Sequence, residues 1–237
     1  MHTGGAVADT VQPGIDSLIW SRQTGWFFSN GASSITLAAA ALFAAGIAAR
    51  TRGRVLWCLT RQDLFAPALA QAGLPADRVI YVEAGDEKSV LACFEEGLRH
   101  GGLGAVVAEV SHLSMTSSRR LQLAAEGSGA IGLAVRRWRR QAEAAGFSQP
   151  TAAMTRWRVS AMPSTPLPVT GVGRARWRLE LLRCRRGESA EFEVEACDAQ
   201  GCLALPYELS YQPNLAKKRK AIGSLSSTSQ LSGGTFL

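Results

Sequence analysis

The order of short apolar runs limits what this chain can fold into more than any other feature. Four of them, "VLWCLT" (55–60), "RVIYVEA" (78–84), "GAVVAEV" (104–110) and "AIGLAV" (130–135), have the length and β-branched content of buried strands. Between and before them lie stretches with helical character, at 34–50, 63–72, 86–99 and 116–126. Asp63 and Asp86 stand where helix N-caps are wanted, and glycines follow both stretches where a C-terminal stop is wanted. Strand-helix-strand repetition closes through right-handed crossovers, so the expected fold is α/β with a mostly parallel sheet flanked by helices.

After residue 135 the pattern changes. The stretch 136–149 is charged and alanine-rich, and 154–162, 174–183 and 190–197 then alternate with period two. Alternation marks strands with one wet face, which adds antiparallel strands at the C-terminal side of the sheet. The connecting "PSTPLPVTGVG" carries three prolines and two glycines and reads as a loop. From residue 212 periodicity is lost. The expected organisation is therefore a flexible segment at 1–20, one folded domain at 21–211, and a basic, Ser/Gly-rich disordered tail at 212–237.

Charge divides the 237 residues unevenly: 1–110 holds 8 Lys+Arg against 10 Asp+Glu, and 111–237 holds 18 against 9. The net +7 thus belongs to the second half, as a long-range attraction for nucleic acid or an acidic partner. Five cysteines without a C-x-x-C pair, two of them in apolar runs, suit the reducing cytoplasm. The start Met-His-Thr-Gly-Gly shows no secretory signal. No charge occurs from 23 to 49, yet the continuous apolar run 35–49 is mostly alanine and shorter than the roughly 20 residues a bilayer needs. A buried helix is expected there, and no membrane association.

A parallel sheet raises the question of a nucleotide at its carboxyl edge. The natural place is "GWFFSNGASSITL" (25–37), where a Gly/Ser-rich turn runs into a helix whose first amides are ready for an anion. A phosphate-binding loop also needs a lysine on the β- and γ-phosphates. The four lysines are Lys88, Lys217, Lys218 and Lys220, and none is at this turn. Gly31, Ser33, Ser34 and Glu109, the last at the end of a buried strand, are then the remnant of a nucleotide site, and Glu109 reads alternatively as a structural hydrogen-bond acceptor. Ser33 and Ser34 also read simply as helix-start residues. The three histidines lack metal-ligand spacing, and no nucleophile motif occurs, so neither metal, cofactor nor catalytic residue is expected.

The stretch 119–186 contains 14 arginines and no lysine. Arginine forks suit phosphates and carboxylates alike, which makes this region the candidate binding surface. Its members are Arg119, Arg120, Arg136, Arg137, Arg139, Arg140, Arg156, Arg158, Arg176 and Arg178, with Lys217, Lys218, Arg219 and Lys220 of the tail adding nonspecific attraction. Two of these strands repeat one phrase, Arg156-Trp157-Arg158 and Arg176-Trp177-Arg178. Strand alternation puts each tryptophan on the face of its aliphatic neighbours and each arginine on the other face. The tryptophans are expected in the core and the arginines in an exposed row.

Taken together, 55–110, "TSSRRLQLAAEGSGAIGLAVRR", "TRWRVSAMPS" and "ARWRLELLRCRRG" resemble the ImuA family of bacterial SOS-induced mutagenesis proteins, in its alphaproteobacterial branch. The similarity covers about 55–207, with a looser match from residue 25 through the alanine-rich helix. It implies a truncated RecA-like core related to the SulA cell-division inhibitors, without a functional Walker lysine. It further implies a non-catalytic accessory role in error-prone translesion synthesis beside ImuB, an inactive Y-family polymerase homologue, and a replicative-type error-prone DNA polymerase. RecA and single-stranded DNA are further candidate partners. Two alternatives stay open: a degenerate ATPase using an arginine such as Arg61 in place of lysine, and a SulA-like inhibitor of cell division.

Overall fold

The computed structural model describes residues 25–29, 34–136, 149–164, 166–185 and 189–204. Within them one eight-stranded sheet runs in the order β3-β2-β4-β5-β1-β6-β7-β8. Its strands are β1 (Gly25–Ser29), β2 (Arg54–Leu59), β3 (Val79–Glu83), β4 (Leu103–Val110), β5 (Ile131–Arg136), β6 (Thr155–Met162), β7 (Arg176–Cys184) and β8 (Ala190–Glu195). The helices are α1 (Ser34–Ala49), α2 (Ala66–Gln71), α3 (Glu87–Arg99) and α4 (Met115–Ser128). From β3 to β6 every neighbouring pair is parallel; β6-β7 and β7-β8 are antiparallel. The segments expected at 1–20 and 212–237, and the 211/212 boundary, lie outside the described residues.

All four strands expected from apolar runs and the three later alternating strands are present, in the same sheet, but β3 is not buried as expected: it is the edge strand, and its Ile80 is 38% exposed. The expectation missed β1. "GWFFS" is only five residues long and abuts Gly, Ser and Asn, so its turn chemistry outweighed three consecutive aromatics. Yet β1 lies between β5 and β6 and is parallel to both. It is the strand that joins the antiparallel extension to the parallel half.

Each helix end has a local cause. Asp86 caps α3 by accepting from Ser89 N at 3.0 Å, and that bond holds its carboxyl below the usual aspartate range. Ser114 caps α4 by accepting from Ser117 N at 3.0 Å, and Gly129 ends it at φ 73°. Asp63 is not the cap of α2, contrary to the expectation. Starting there would put Pro67 at the fourth helical position, where the first intrahelical N–H is required. The helix instead starts at Ala66, with Pro67 in its first turn, where no N–H is missed.

Two cores lie on the two faces of the sheet. One is built on α1, whose residues from Ala39 to Ala48 are almost all buried, together with Trp57, Leu59, Leu133, Trp157, Trp177 and Leu179. The other packs α3 and α4, through Val90, Phe94, Leu98, Leu121 and Ala125, on Val106, Ala108 and Ala134. Covered strands explain the near-continuous apolar runs of β4 and β5. Burial of α1 explains its uniform apolarity without a membrane, and no described helix is long and apolar enough to cross one.

The two tryptophans of the repeated phrase meet the same ring. Phe43 of α1 stands edge-on to Trp157, with centroids 6.0 Å apart, and edge-on to Trp177 at 6.3 Å. Both tryptophans are therefore core residues, as the alternation predicted; they are 0 % and 2 % exposed.

Candidate functional site

The carboxyl edge of the parallel strands holds a crevice of about 230 Å³. Its described walls come from α1 (Ala38, Leu42), the start of α2 (Phe65, Leu69), and the strand ends Glu109 and Val135. This is where a doubly covered α/β sheet presents a ligand. The described walls are mostly carbon, and none of their residues is basic. Gly31 and Ser33 lie outside the described residues; Ser34 is the first residue of α1.

Glu109 is 5 % exposed, and one of its oxygens accepts from Trp57 Nε1 at 3.1 Å. A buried indole N–H needs an acceptor, and Glu109 supplies it across the β2-β4 pair. The residue thus has a structural use at the position where a nucleotide-binding fold keeps its magnesium-organising acid. Arg61 is exposed in the turn after β2 and is not among the described residues that line the crevice.

Burial pushes the Cys58 thiol up to about 12, and burial beside Asp198 does the same for Cys197, so both are protonated at neutral pH. Among the described residues no group of three or more His, Cys, Asp or Glu is arranged to hold a metal ion.

The basic face differs from the exposed row that alternation alone suggests. On the face of β6-β8 opposite the tryptophans, Arg158 pairs with Glu180 at 3.1 Å and Arg176 with Glu193 at 3.4 Å. Arg178 reaches Glu191 at 3.1 Å and Glu193 at 3.2 Å. Arg174 pairs with Glu195 at 3.4 Å. The acids of β8 fall outside the arginine-rich window, one strand beyond its end. Their signal was nevertheless in the sequence, as Glu191, Glu193 and Glu195 at the same period of two. Such half-exposed pairs contribute little stability each, but they cancel much of the field that would draw a phosphate backbone.

Two arginines are structural by position. Arg136 is 5 % exposed and donates through Nε and Nη2 to the Ser111 carbonyl at 3.0 and 2.5 Å. Burial, and then the charge of Arg156, lower its pKa. A side chain so placed ties the end of β5 to the loop after β4; as a surface phosphate contact it is corrected by its burial. Arg156 donates to the Gln149 carbonyl at 2.6 Å and to Thr151 Oγ1 at 3.4 Å. Burial and Arg183 lower its pKa too. Arg119 and Arg120 are exposed on α4. Arg137, Arg139, Arg140, Lys217, Lys218, Arg219 and Lys220 lie outside the described residues.

The strand order, the crossovers and the crevice at the carboxyl edge define an α/β core of RecA-like type. The crystal structure of the RadB recombinase matches it with a TM-score of 0.54, covering 81% of this chain and 96% of that chain at 13% identity. Such a likeness speaks for the fold alone. SulA from Pseudomonas aeruginosa aligns with 48% of this chain at a TM-score of 0.41, too low to bear on the question. No family model matches the chain. Sequence similarity is more specific: Protein ImuA from two strains of Caulobacter vibrioides, NA1000 / CB15N and ATCC 19089 / CB 15, is 36% identical over 184 residues, 76% of this chain and 75% of theirs. The chain belongs to the ImuA family.

Proposed function

We propose that this protein is a non-catalytic accessory component of SOS-inducible, error-prone translesion DNA synthesis, acting as an adaptor in the cytoplasm. Its partners in this reading are ImuB, a replicative-type error-prone polymerase and, at damaged sites, RecA and single-stranded DNA. The observation that carries the reading is the 36% identity to Protein ImuA over three quarters of both chains. Two features favour the absence of catalysis. No lysine stands at the turn before α1, and the described walls of the crevice are mostly carbon, with two acids, Asp63 and Glu109, the latter engaged by Trp57. A triphosphate brings several negative charges that such a lining does not offset.

The ion pairs of β6-β8 shift the balance from DNA towards protein as the main target of this surface. Phosphate contacts fall instead to Arg119, and to Arg137, Arg139, Arg140, Lys217, Lys218, Arg219 and Lys220. Titration of the full chain with magnesium-ATP, followed by calorimetry and phosphate release, tests the non-catalytic claim. Neither binding nor turnover is expected. Magnesium-dependent ATP binding that disappears when the Gly31 turn is altered would replace this reading with that of a degenerate ATPase.

A further inference from the structure

A second concave surface lies between α3 and α4, on the face of the sheet opposite α1. Glu95 of α3 is 8 % exposed, an unusual position for a carboxylate unless its oxygens are paired. Its Oε1 takes Arg99 Nη2 at 2.5 Å and its Oε2 takes Arg120 Nη2 at 2.7 Å. The two guanidiniums are thereby brought together, although like charges repel, and their side chains stay 59% and 65% exposed. Among the described residues each commits only its Nη2, which leaves the rest of both forks free to donate.

Concavities lie on both sides of Arg120. One, of about 380 Å³, is lined by Arg99, Arg120, Leu123, Ala124 and Gly127. The other, of about 520 Å³, continues along the groove with Leu91 and Leu121 among its walls. Leu123 is 68% exposed at the edge of the first, and Met115, two turns earlier on α4, is 41% exposed. An exposed leucine beside a fixed pair of guanidiniums offers apolar contact and forked donors within one small area.

We infer that the α3-α4 groove is a docking site for an acidic, leucine-bearing peptide segment of a partner protein. A partner carboxylate bridges the free N–H groups of Arg99 and Arg120, and its neighbouring apolar side chain packs on Leu123 and Ala124. Charge complementarity selects the sign of the ligand. Apolar exposure at the same place selects peptide over nucleic acid, because a phosphate backbone leaves Leu123 without a partner. Glu95 acts as a positioning residue, since it orders both arginines before the ligand arrives and lowers the cost of binding. The inference rests on the adaptor reading for its biological setting; of its two arginines, Arg99 lies outside the arginine-rich stretch and Arg120 within it.

The test uses the full-length chain and three fluorescent probes: a peptide alternating glutamate and leucine, the same peptide with serine for leucine, and an oligothymidylate. Leu123→Ser and Arg99→Gln are each expected to weaken the glutamate-leucine peptide by about tenfold or more. The serine peptide is expected to bind comparably weakly to the unaltered protein, and Leu123→Ser to leave oligothymidylate binding unchanged. Because Leu123 is a surface residue, its variant retains the fold even if Arg99→Gln, by freeing one oxygen of Glu95, does not. Equal binding of both peptides, or no loss on Leu123→Ser, overturns the docking site. That outcome leaves the accessory role standing, because co-purification of the whole chain with its partners reads that role separately.

Discussion

Replacing Trp157 by alanine is expected to destabilise the protein by about 3–5 kcal/mol, measured as the shift in a chemical denaturation midpoint at constant slope. The side chain is 0 % exposed and lies between two rings, Phe43 at 6.0 Å and Phe192 at 6.3 Å. Deleting it opens a cavity at the contact between α1 and the strands that extend the sheet, and the close-packed ring neighbours relax only partly into such a gap. Its Nε1 is buried without a hydrogen-bond partner among the described residues. Trp157→Phe therefore removes an unsatisfied donor while keeping a ring against Phe43, and is expected to cost clearly less than Trp157→Ala. The adjacent Arg158→Ala loses one partly exposed ion pair with Glu180 and should cost no more than about 1 kcal/mol. Similar losses for Trp157→Ala and Arg158→Ala would contradict the division of the repeated phrase into a packing half and a charged half.

Gly73→Ala is the second substitution with a large expected effect. Gly73 comes directly after Ala72, the C-cap of α2, at φ 88°, a left-handed conformation. There the Leu74 N–H reaches back to the Leu69 carbonyl at 2.9 Å, and the Gly73 N–H to the Ala70 carbonyl at 3.0 Å. A methyl group at this position meets backbone: it would lie 2.8 Å from the Gln200 carbonyl carbon and from Gly201 Cα, and closer still to Gly201 N. Backbone cannot rotate away as a side chain can. The loop at 198–202 must then lift from the end of α2, and the same loop approaches α1, where the Gly201 carbonyl and the Cys197 sulfur lie against Gly46. Strain and lost contact together are expected to cost about 3 kcal/mol or more. Gly129→Ala provides the control, since that glycine has φ 73° but no heavy atom within 4 Å of the added carbon. Its cost is expected to be about 1 kcal/mol, from backbone conformation alone. Equal losses at the two glycines would show that the contact with residues 200–201 is not tight.

The parallel half of the fold was legible because its signals are local and redundant. β4 and β5 are buried on both faces, so their apolar runs are uninterrupted; Asp86 marks a helix start through its side-chain cap, and Gly73 a helix end through a left-handed backbone that few other residues adopt. The failures have physical causes of the same kind. β1 is short and borders residues that favour turns, and it is held in the centre of the sheet by two partners far away in sequence. Asp63 looked like a cap because an apolar run begins at the next residue, but Pro67 moves the start of α2 to Ala66.

The candidate surface was only half legible. Period-two alternation separated Trp157 and Trp177 from their flanking arginines, and the core confirms that separation. Alternation along one strand says nothing of what a neighbouring strand places opposite. The antiparallel register sets Arg178 against Glu193 and Arg158 against Glu180, and only pairing reveals that this basic row carries its own counter-charges. Glu95 is a further case: its sequence neighbours suggest an ordinary helix-surface acid, whereas packing of α3 on α4 makes it the buried anchor of Arg99 and Arg120.

Co-purification tests the central claim most directly. The tagged full-length chain is mixed with the ImuB-type protein and the error-prone polymerase, with no nucleotide present, and the capture is repeated with and without single-stranded DNA. The account predicts that ImuB is retained in both arms, that the polymerase is retained through the assembly, and that DNA adds at most a modest increase. Retention of neither protein in either arm, or retention that requires added ATP, would contradict it.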